Sequence, residues 1–222
     1  MENKMRQKIK AIFWDLDGTL INSEAIHEQA AFFATQELGI TSQVNVIPAG
    51  LENTAVFELM TGINTGTKKH NLLERWNELA IEYALTRIEA EHKIPQSLEL
   101  FNYFALKNLP QSVVSNSNAP IVQHSLERLG IITKCRQIFS RDSVELGKPH
   151  PQLYLNALAS NQYNANECLT FEDSHAGITA AKACNINVIG IGLNTLQYSP
   201  NLACDLATQS WLEQIQDNYC FD

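Results

Sequence analysis

The chain of 222 residues contains no C-x-x-C pair, and no apolar run in it is long enough to cross a membrane. Its five cysteines are widely spaced, so the sequence predicts neither a disulfide framework nor a zinc site. The basic N-terminal segment is followed only by the apolar stretch Ala11–Trp14 before Asp15 interrupts it, which is too short for the hydrophobic region of a signal peptide. We therefore expect a soluble, cytoplasmic protein.

Positive charge is scarce, with 16 Lys and Arg against 24 Asp and Glu and a formal net charge of −8. No block of basic residues alternates with aromatic ones, so we expect neither a nucleic-acid partner nor a membrane partner. With 45% hydrophobic and 18% charged residues, the composition is that of a folded globular protein. We expect a folded chain that is a monomer or weak dimer.

Short apolar runs alternate with helix-length segments along most of the chain. Such runs are typical of buried parallel strands in an α/β sheet. The predicted strands are Ile9–Trp14, Ser112–Val114, Gln137–Phe139, Leu169–Phe171 and Val188–Ile191. Pro120 and Pro151 stand where the first turn of an intervening helix would begin. The pattern predicts a Rossmann-like parallel sheet with flanking helices.

The segment between the first two predicted strands is too long for a loop. Within it, Ser23–Leu38 is predicted to be helical. A second set of apolar residues falls on one face of a later helix: Leu72, Trp76, Leu79, Tyr83 and Ala84. We therefore predict a helical cap subdomain over residues 22–94, inserted between the two parts of an α/β core, 1–21 and 95–222.

Polar motifs follow the predicted strands at their carboxyl ends, where open parallel sheets bind ligands. They are "DLDGT" (Asp15–Thr19), "SNSN" (Ser115–Asn118) and "FEDSHAG" (Phe171–Gly177), and "GKPHP" (Gly147–Pro151) precedes a predicted helix. Two carboxylates this close in "DLDGT" repel each other and are costly to bury, so a cation, a proton or phosphate chemistry must offset them. We expect the four motifs to meet in one crevice.

In order and spacing, and together with the insertion, these motifs resemble the haloacid dehalogenase superfamily. The resemblance covers essentially the whole chain and is closest to the capped subclass that includes sugar-phosphate phosphatases and β-phosphoglucomutase. It implies a Rossmann-like core with an inserted helical cap. It also implies a Mg²⁺-dependent phosphomonoester hydrolase that acts on a small phosphorylated metabolite, of the sugar-phosphate kind, through an aspartyl-phosphate.

Carried onto this sequence, the resemblance gives roles to the acidic residues. Asp15 would be the nucleophile, and Asp17 would be the general acid and then the general base. Mg²⁺ would be held by the Asp15 carboxylate, the Asp17 carbonyl and Asp173. Glu172 is either a further metal ligand or a neighbour of the ligands, and both interpretations stay open.

The resemblance also implies that Ser115 and the Asn116 amide bind the transferring phosphoryl group. Lys148 would neutralise charge on that group and orient the nucleophile. Taken alone, the serine and asparagines could simply mark the start of a helix, and for Asn118 we prefer that interpretation. A P-loop is excluded for "GK", because Pro149 follows the lysine where Ser or Thr is required.

His27 lies one helical turn after Ser23, so both side chains could face the crevice. An ordinary histidine of an amphipathic helix is the preferred interpretation at the sequence level. Substrate specificity is expected to come from the cap, whose candidate polar residues include Glu52, Asn53, Lys68 and Lys69.

Three other functions agree less well with the sequence. Dehalogenases of the superfamily generally have no acid where this chain has Asp17. A β-phosphoglucomutase-like phosphotransferase is the first alternative, but the matching cap stretch has Ala49 before Gly50 and Asn53 where an arginine is expected. A non-catalytic metal-binding or phospho-receiver module is less favoured, because it would need neither Asp17 nor Lys148.

Overall fold

The computed structural model describes residues 6–47, 51–64, 70–204 and 211–221. Its strands are β1 (Gln7–Lys8), β2 (Ala11–Trp14), β3 (Gln111–Val114), β4 (Gln137–Phe139), β5 (Cys168–Glu172), β6 (Asn187–Ile191), β7 (Leu202–Cys204) and β8 (Tyr219–Cys220). Its α-helices are α1 (Glu24–Glu37), α2 (Asn53–Thr61), α3 (His70–Leu85), α4 (Pro95–Leu106), α5 (Ala119–Arg128), α6 (Gln152–Asn161), α7 (His175–Ala183) and α8 (Trp211–Gln216).

The central sheet of the described residues is parallel throughout and has the strand order β4-β3-β2-β5-β6-β7. Side chains alternate between its two faces, so Ile12 and Trp14 point into one layer and Ala11 and Phe13 into the other. Helices α4, α5 and α8 cover the first face, and α6 and α7 cover the second. The predicted Rossmann-like α/β architecture is confirmed.

Helices α1, α2 and α3 form the inserted helical cap, and this part of the predicted fold is also confirmed. Buried side chains of the three helices form a core of their own, which comprises Ala31, Ala34, Val56, Phe57, Met60, Leu73, Trp76 and Leu79. The indole of Trp76 donates to the Thr35 hydroxyl at 2.9 Å and meets the Phe57 ring edge to face. These contacts fix the tryptophan in the cap.

Two chain segments run side by side where the cap leaves and rejoins the sheet. Ile21 pairs with Lys93, the Asn22 amide donates to the His92 carbonyl at 2.7 Å, and the Ile94 amide donates to the Leu20 carbonyl at 3.0 Å. The pairing supports cap boundaries near residues 22 and 94, which remain a proposal.

Some elements differ from the prediction. The first core strand begins at Ala11 rather than Ile9, and the first helix is two residues shorter than Ser23–Leu38. The edge strand β7 and the small parallel pair β1 and β8 were not predicted, because short edge strands carry little apolar pattern. Among the described residues, no helix is long and apolar enough to span a membrane.

Candidate active site

Asp15 and Asp17 lie directly beyond the end of β2, at the edge of the sheet where the parallel strands end. The Asp15 amide donates to the Phe171 carbonyl at 3.0 Å, which ties this turn to β5. Gly18 then adopts a left-handed φ of 78°, and a Cβ at this position would collide with the Asp173 carboxylate. Glycine is therefore required here, and it lets Asp173 approach the turn that carries both aspartates.

Lys148 is buried against the nucleophile candidate. Its ammonium donates to Asp15 Oδ1 at 2.7 Å, to Glu172 Oε1 at 2.6 Å and to the Val114 carbonyl at 2.6 Å. Burial lowers the pKa of this ammonium, but the charges of Asp15 and Glu172 outweigh it and hold that pKa above its usual value. A fixed positive charge therefore adjoins the Asp15 carboxylate, while the role of Lys148 in catalysis remains a prediction.

Carboxylate oxygens of Asp15, Glu172 and Asp173 lie within 4.8 Å of one another. Burial, together with the charges of Glu172 and Asp17, raises the pKa of Asp15 to about 8 against the opposing effect of Lys148. Burial, followed by the charges of Asp15 and Glu172, raises the pKa of Asp173 well above its usual value. One lysine does not balance three acids, so the cluster is short of positive charge.

Glu172 supplies a second reason to expect a cation. The side chain is fully buried, and its Oε2 has no hydrogen-bond partner in the described structure, while Oε1 accepts from Lys148 and Tyr154. An unpaired buried carboxylate oxygen is costly unless something positive faces it. The oxygen donors of this cluster therefore fit a divalent metal, for which Asp15, Asp173 and Glu172 would be the ligands.

Asp17 is held by four donors, of which the Ser115 hydroxyl, donating to Oδ2 at 3.5 Å, is the most distant. Ser23 and His27 Nε2 (2.8 Å) donate to Oδ1, and Ser117 Oγ donates to Oδ2 at 2.6 Å. Burial alone would raise the pKa of Asp17, but the charge and hydrogen bond of His27, with help from Ser117 and Ser23, hold it well below its usual range. The same pairing raises the pKa of His27 despite burial. In this arrangement Asp17 is a carboxylate, the form required of a base.

The residues after β3 contribute in different ways. Ser115 is fully buried, and its hydroxyl accepts from the Ser117 amide at 2.9 Å. The Asn116 side chain binds the backbone of Lys148 through both amide atoms, at 2.8 and 2.9 Å. A phosphoryl group could therefore meet the backbone amide of Asn116 but not its side chain. That role for Ser115 and Asn116 remains a prediction.

Asn118 stands at the N-cap of α5, where the sequence analysis placed it, but its side chain does not cap the helix. It donates to Asp142 Oδ1 at 2.6 Å, and the other oxygen of Asp142 accepts from the Ala119 amide instead. The sequence could not show this, because Asp142 follows a different strand.

A cavity of about 500 Å³ opens over these groups and reaches the cap. Asp15, Asp17, Lys148 and Asp173 line its sheet end, and residues of α1, α2 and α3 line the opposite wall. The four motifs therefore meet in one crevice, as predicted, between the strand ends and the cap helices.

Residues 12–191 match the family model of haloacid dehalogenase-like hydrolases. The chain belongs to this family. It is 28% identical over 82% of its length to validoxylamine A 7'-phosphate phosphatase of Streptomyces hygroscopicus subsp. limoneus, covering 85% of that protein. It is 27% identical to β-phosphoglucomutase of Bacillus subtilis, over 90% of this chain and 89% of that one. The structure of a β-phosphoglucomutase from Clostridium difficile superposes with a TM-score of 0.78 at 23% identity, over 95% and 97% of the two chains.

These matches confirm the resemblance to the haloacid dehalogenase superfamily and the prediction of an enzyme of its phosphatase type. They also agree with a divalent metal at the acidic cluster, without identifying the ion. The roles of individual residues rest on the geometry described above.

Three side chains of the active site could not be assigned a role from the sequence. Ser117 contacts Asp17, and Tyr154 donates to Glu172 Oε1 and shares a hydrogen bond with Thr170. His27, for which the sequence favours an ordinary helical position, contacts Asp17. The spacing of His27 from Ser23 on a helix indicates that His27 could face the crevice. The Tyr154 contact joins α6 to β5, so no pattern in the neighbouring sequence predicts it.

Tyr154→Phe should lower the free energy of unfolding by about 1–3 kcal/mol, because it removes a donor from a buried carboxylate while keeping the ring. Burial, reinforced by Glu172, raises the pKa of this phenol well above its usual value, so the hydroxyl remains a donor. Urea denaturation measures the change. Tyr83→Phe, at an exposed hydroxyl, is the matched control and should change stability by less than about 0.5 kcal/mol. Equal effects would contradict the importance of the Tyr154 contact.

Proposed function

We propose that this chain is a Mg²⁺-dependent phosphomonoester hydrolase that acts on a small phosphorylated metabolite of the sugar-phosphate kind, in the cytoplasm. The observation that carries the proposal is the placement of Asp15 and Asp17 at the sheet end of the cavity, with Lys148 Nζ 2.7 Å from Asp15 Oδ1. This combines a nucleophile, a proton-transfer group and a fixed cation beside one cavity that could hold a substrate.

In the first step, an Asp15 carboxylate oxygen attacks phosphorus, and the bond from phosphorus to the leaving oxygen breaks. Asp17 gives a proton to that oxygen, and Lys148 offsets negative charge at the transferring group. For this step Asp17 must carry a proton, so the hydrogen bonds that now favour its carboxylate must weaken when substrate binds. The product of the step is an aspartyl-phosphate and a free alcohol.

In the second step, water attacks the phosphorus of the aspartyl-phosphate while Asp17 accepts its proton, which releases inorganic phosphate and restores Asp15. The carboxylate form of Asp17 in this structure suits that step. Asp15, Asp173, Glu172 and the Asp17 carbonyl would hold Mg²⁺, which would neutralise charge on the phosphoryl oxygens.

Hydrolysis is favoured over the mutase alternative by Asn53. This residue lines the cavity, and its neutral side chain donates to Asn77 Oδ1 at 3.1 Å. A mutase must retain a bisphosphate between its two half-reactions, which calls for cationic side chains at this wall. Ala49 and Gly50, which also entered the sequence comparison with mutases, lie outside the described residues.

Chelation should abolish phosphate release from p-nitrophenyl phosphate, and added Mg²⁺ should restore it whereas Ca²⁺ should not. Calcium accepts more ligands in a looser geometry, which would misalign Asp15 and phosphorus. A phosphate-release assay in EDTA, followed by each ion, measures this.

A second readout is the melting temperature, which Mg²⁺ should raise in the wild-type chain by neutralising the crowded carboxylates. Asp173→Asn should remove that shift, while Asp142→Asn, at a carboxylate that caps α5, should keep it. Full activity in EDTA would refute the metal assignment.

A further inference from the structure

The cavity wall opposite the strand ends is largely apolar. Ile47, Val56, Trp76 and Ile81 contribute to it from the cap side, and Ile121 of α5 contributes from the core. Val56 and Trp76 also belong to the cap core, so this part of the wall is held in place. A leaving group that fills the cavity must therefore lay one face against hydrocarbon.

The charged groups of the cavity have an asymmetric distribution. Among the described lining residues, the groups that can be positive are Lys148 and His27, and both are already paired with acids. The other charged lining residues on the cap side are Glu24 and Glu28, one turn apart on α1. The described cap side of the cavity therefore has negative charge and no free cation, with Glu24 near Asp173 and His27.

Arg141 does not change this distribution. It lines a smaller neighbouring cavity that shares four lining residues with the first. Its guanidinium donates to the Val144 and Glu145 carbonyls and lies 3.6 Å from Glu52. These contacts engage the guanidinium, so it is not a free cation for a leaving group.

We infer that the substrate of the proposed phosphatase is a monophosphate whose leaving group carries no second anionic group and rests an apolar face on this wall. The inference rests on the proposed function. A carboxylate or second phosphate on the leaving group would lose water against hydrocarbon and meet the charge of Glu24 and Glu28, with no compensating cation among the described lining residues. An uncharged ring, whether carbocyclic or a sugar with its apolar face turned to the wall, loses no hydration of a charge and is not repelled by the glutamates.

Three alkyl phosphates test the inference: methyl, benzyl and 4-carboxybenzyl phosphate. Their leaving alcohols are of similar basicity, so differences in kcat/KM report contacts rather than chemistry. Burial of the ring should make kcat/KM for benzyl phosphate about tenfold or more above that for methyl phosphate. The added carboxylate should lower kcat/KM about tenfold below that for benzyl phosphate.

Variants of the two glutamates locate the effect. In Glu24→Gln combined with Glu28→Gln, the preference for benzyl over 4-carboxybenzyl phosphate should shrink about fivefold, because the repulsion is removed. The control is Glu37→Gln, which removes one exposed acid on the same helix, away from the cavity, where the double variant removes two. It should leave the preference for benzyl phosphate as in the wild type.

Each outcome has a definite meaning. The inference is overturned if benzyl phosphate is no better than methyl phosphate, if the carboxylated ester is hydrolysed as well as the neutral one, or if the glutamate variants match Glu37→Gln. The proposed function fails separately, and the inference with it, if the wild-type chain releases no more phosphate from p-nitrophenyl phosphate than Asp15→Asn does.

Discussion

Asp15→Asn should reduce turnover by roughly 10⁴-fold or more while the fold remains intact. The neutral amide cannot form an acyl phosphate as the carboxylate does, so the covalent route is closed. Asparagine retains an oxygen that can accept from Lys148, and burial already disfavours the charged form of Asp15. We therefore expect the fold to tolerate the change.

Phosphate release under saturating p-nitrophenyl phosphate measures the loss, and circular dichroism with a melting curve checks the fold. Asp217→Asn, an identical change at an exposed position of the described chain, should retain full activity. Substantial turnover by a well-folded Asp15→Asn chain would remove Asp15 from the role of nucleophile.

The position of the candidate site could be predicted because parallel strands end at one edge of their sheet. Asp15, Ser115 and Asp173 each follow a short apolar run, so the topology alone brings them together. Lys148 follows no strand directly, and its place was implied only by the family resemblance. The structure puts its ammonium between Asp15 and Glu172.

The contacts around these residues could not be predicted, because each joins distant parts of the chain. Whether His27 faces Asp17 depends on the direction in which α1 leaves the sheet, which periodicity does not define. The sequence leaves two interpretations of Glu172 open because a motif does not show what each carboxylate oxygen contacts. The unpaired Oε2 favours a metal contact, while Oε1 is committed to Lys148 and Tyr154.

Asp17→Asn should lower turnover by roughly 10²–10⁴-fold, the usual contribution of positioned proton transfer. The Ser23 and Ser117 hydroxyls that now donate to Asp17 can also accept, so the amide can keep partners in the same place. The backbone carbonyl proposed as a metal ligand is unchanged, and Mg²⁺ affinity should therefore change little. A preserved Mg²⁺ shift in melting temperature would show that the metal site is retained.

The loss in Asp17→Asn should depend on the leaving group. p-Nitrophenolate departs without a proton, whereas the alkoxide of a sugar phosphate needs one in the transition state. Formation of the aspartyl-phosphate from the aryl ester should therefore suffer less than formation from a sugar phosphate, although its later hydrolysis would still be without the base. Single-turnover measurements on both substrates resolve the two steps. An equal loss in the first step for both esters would mean that Asp17 acts on something other than the leaving oxygen.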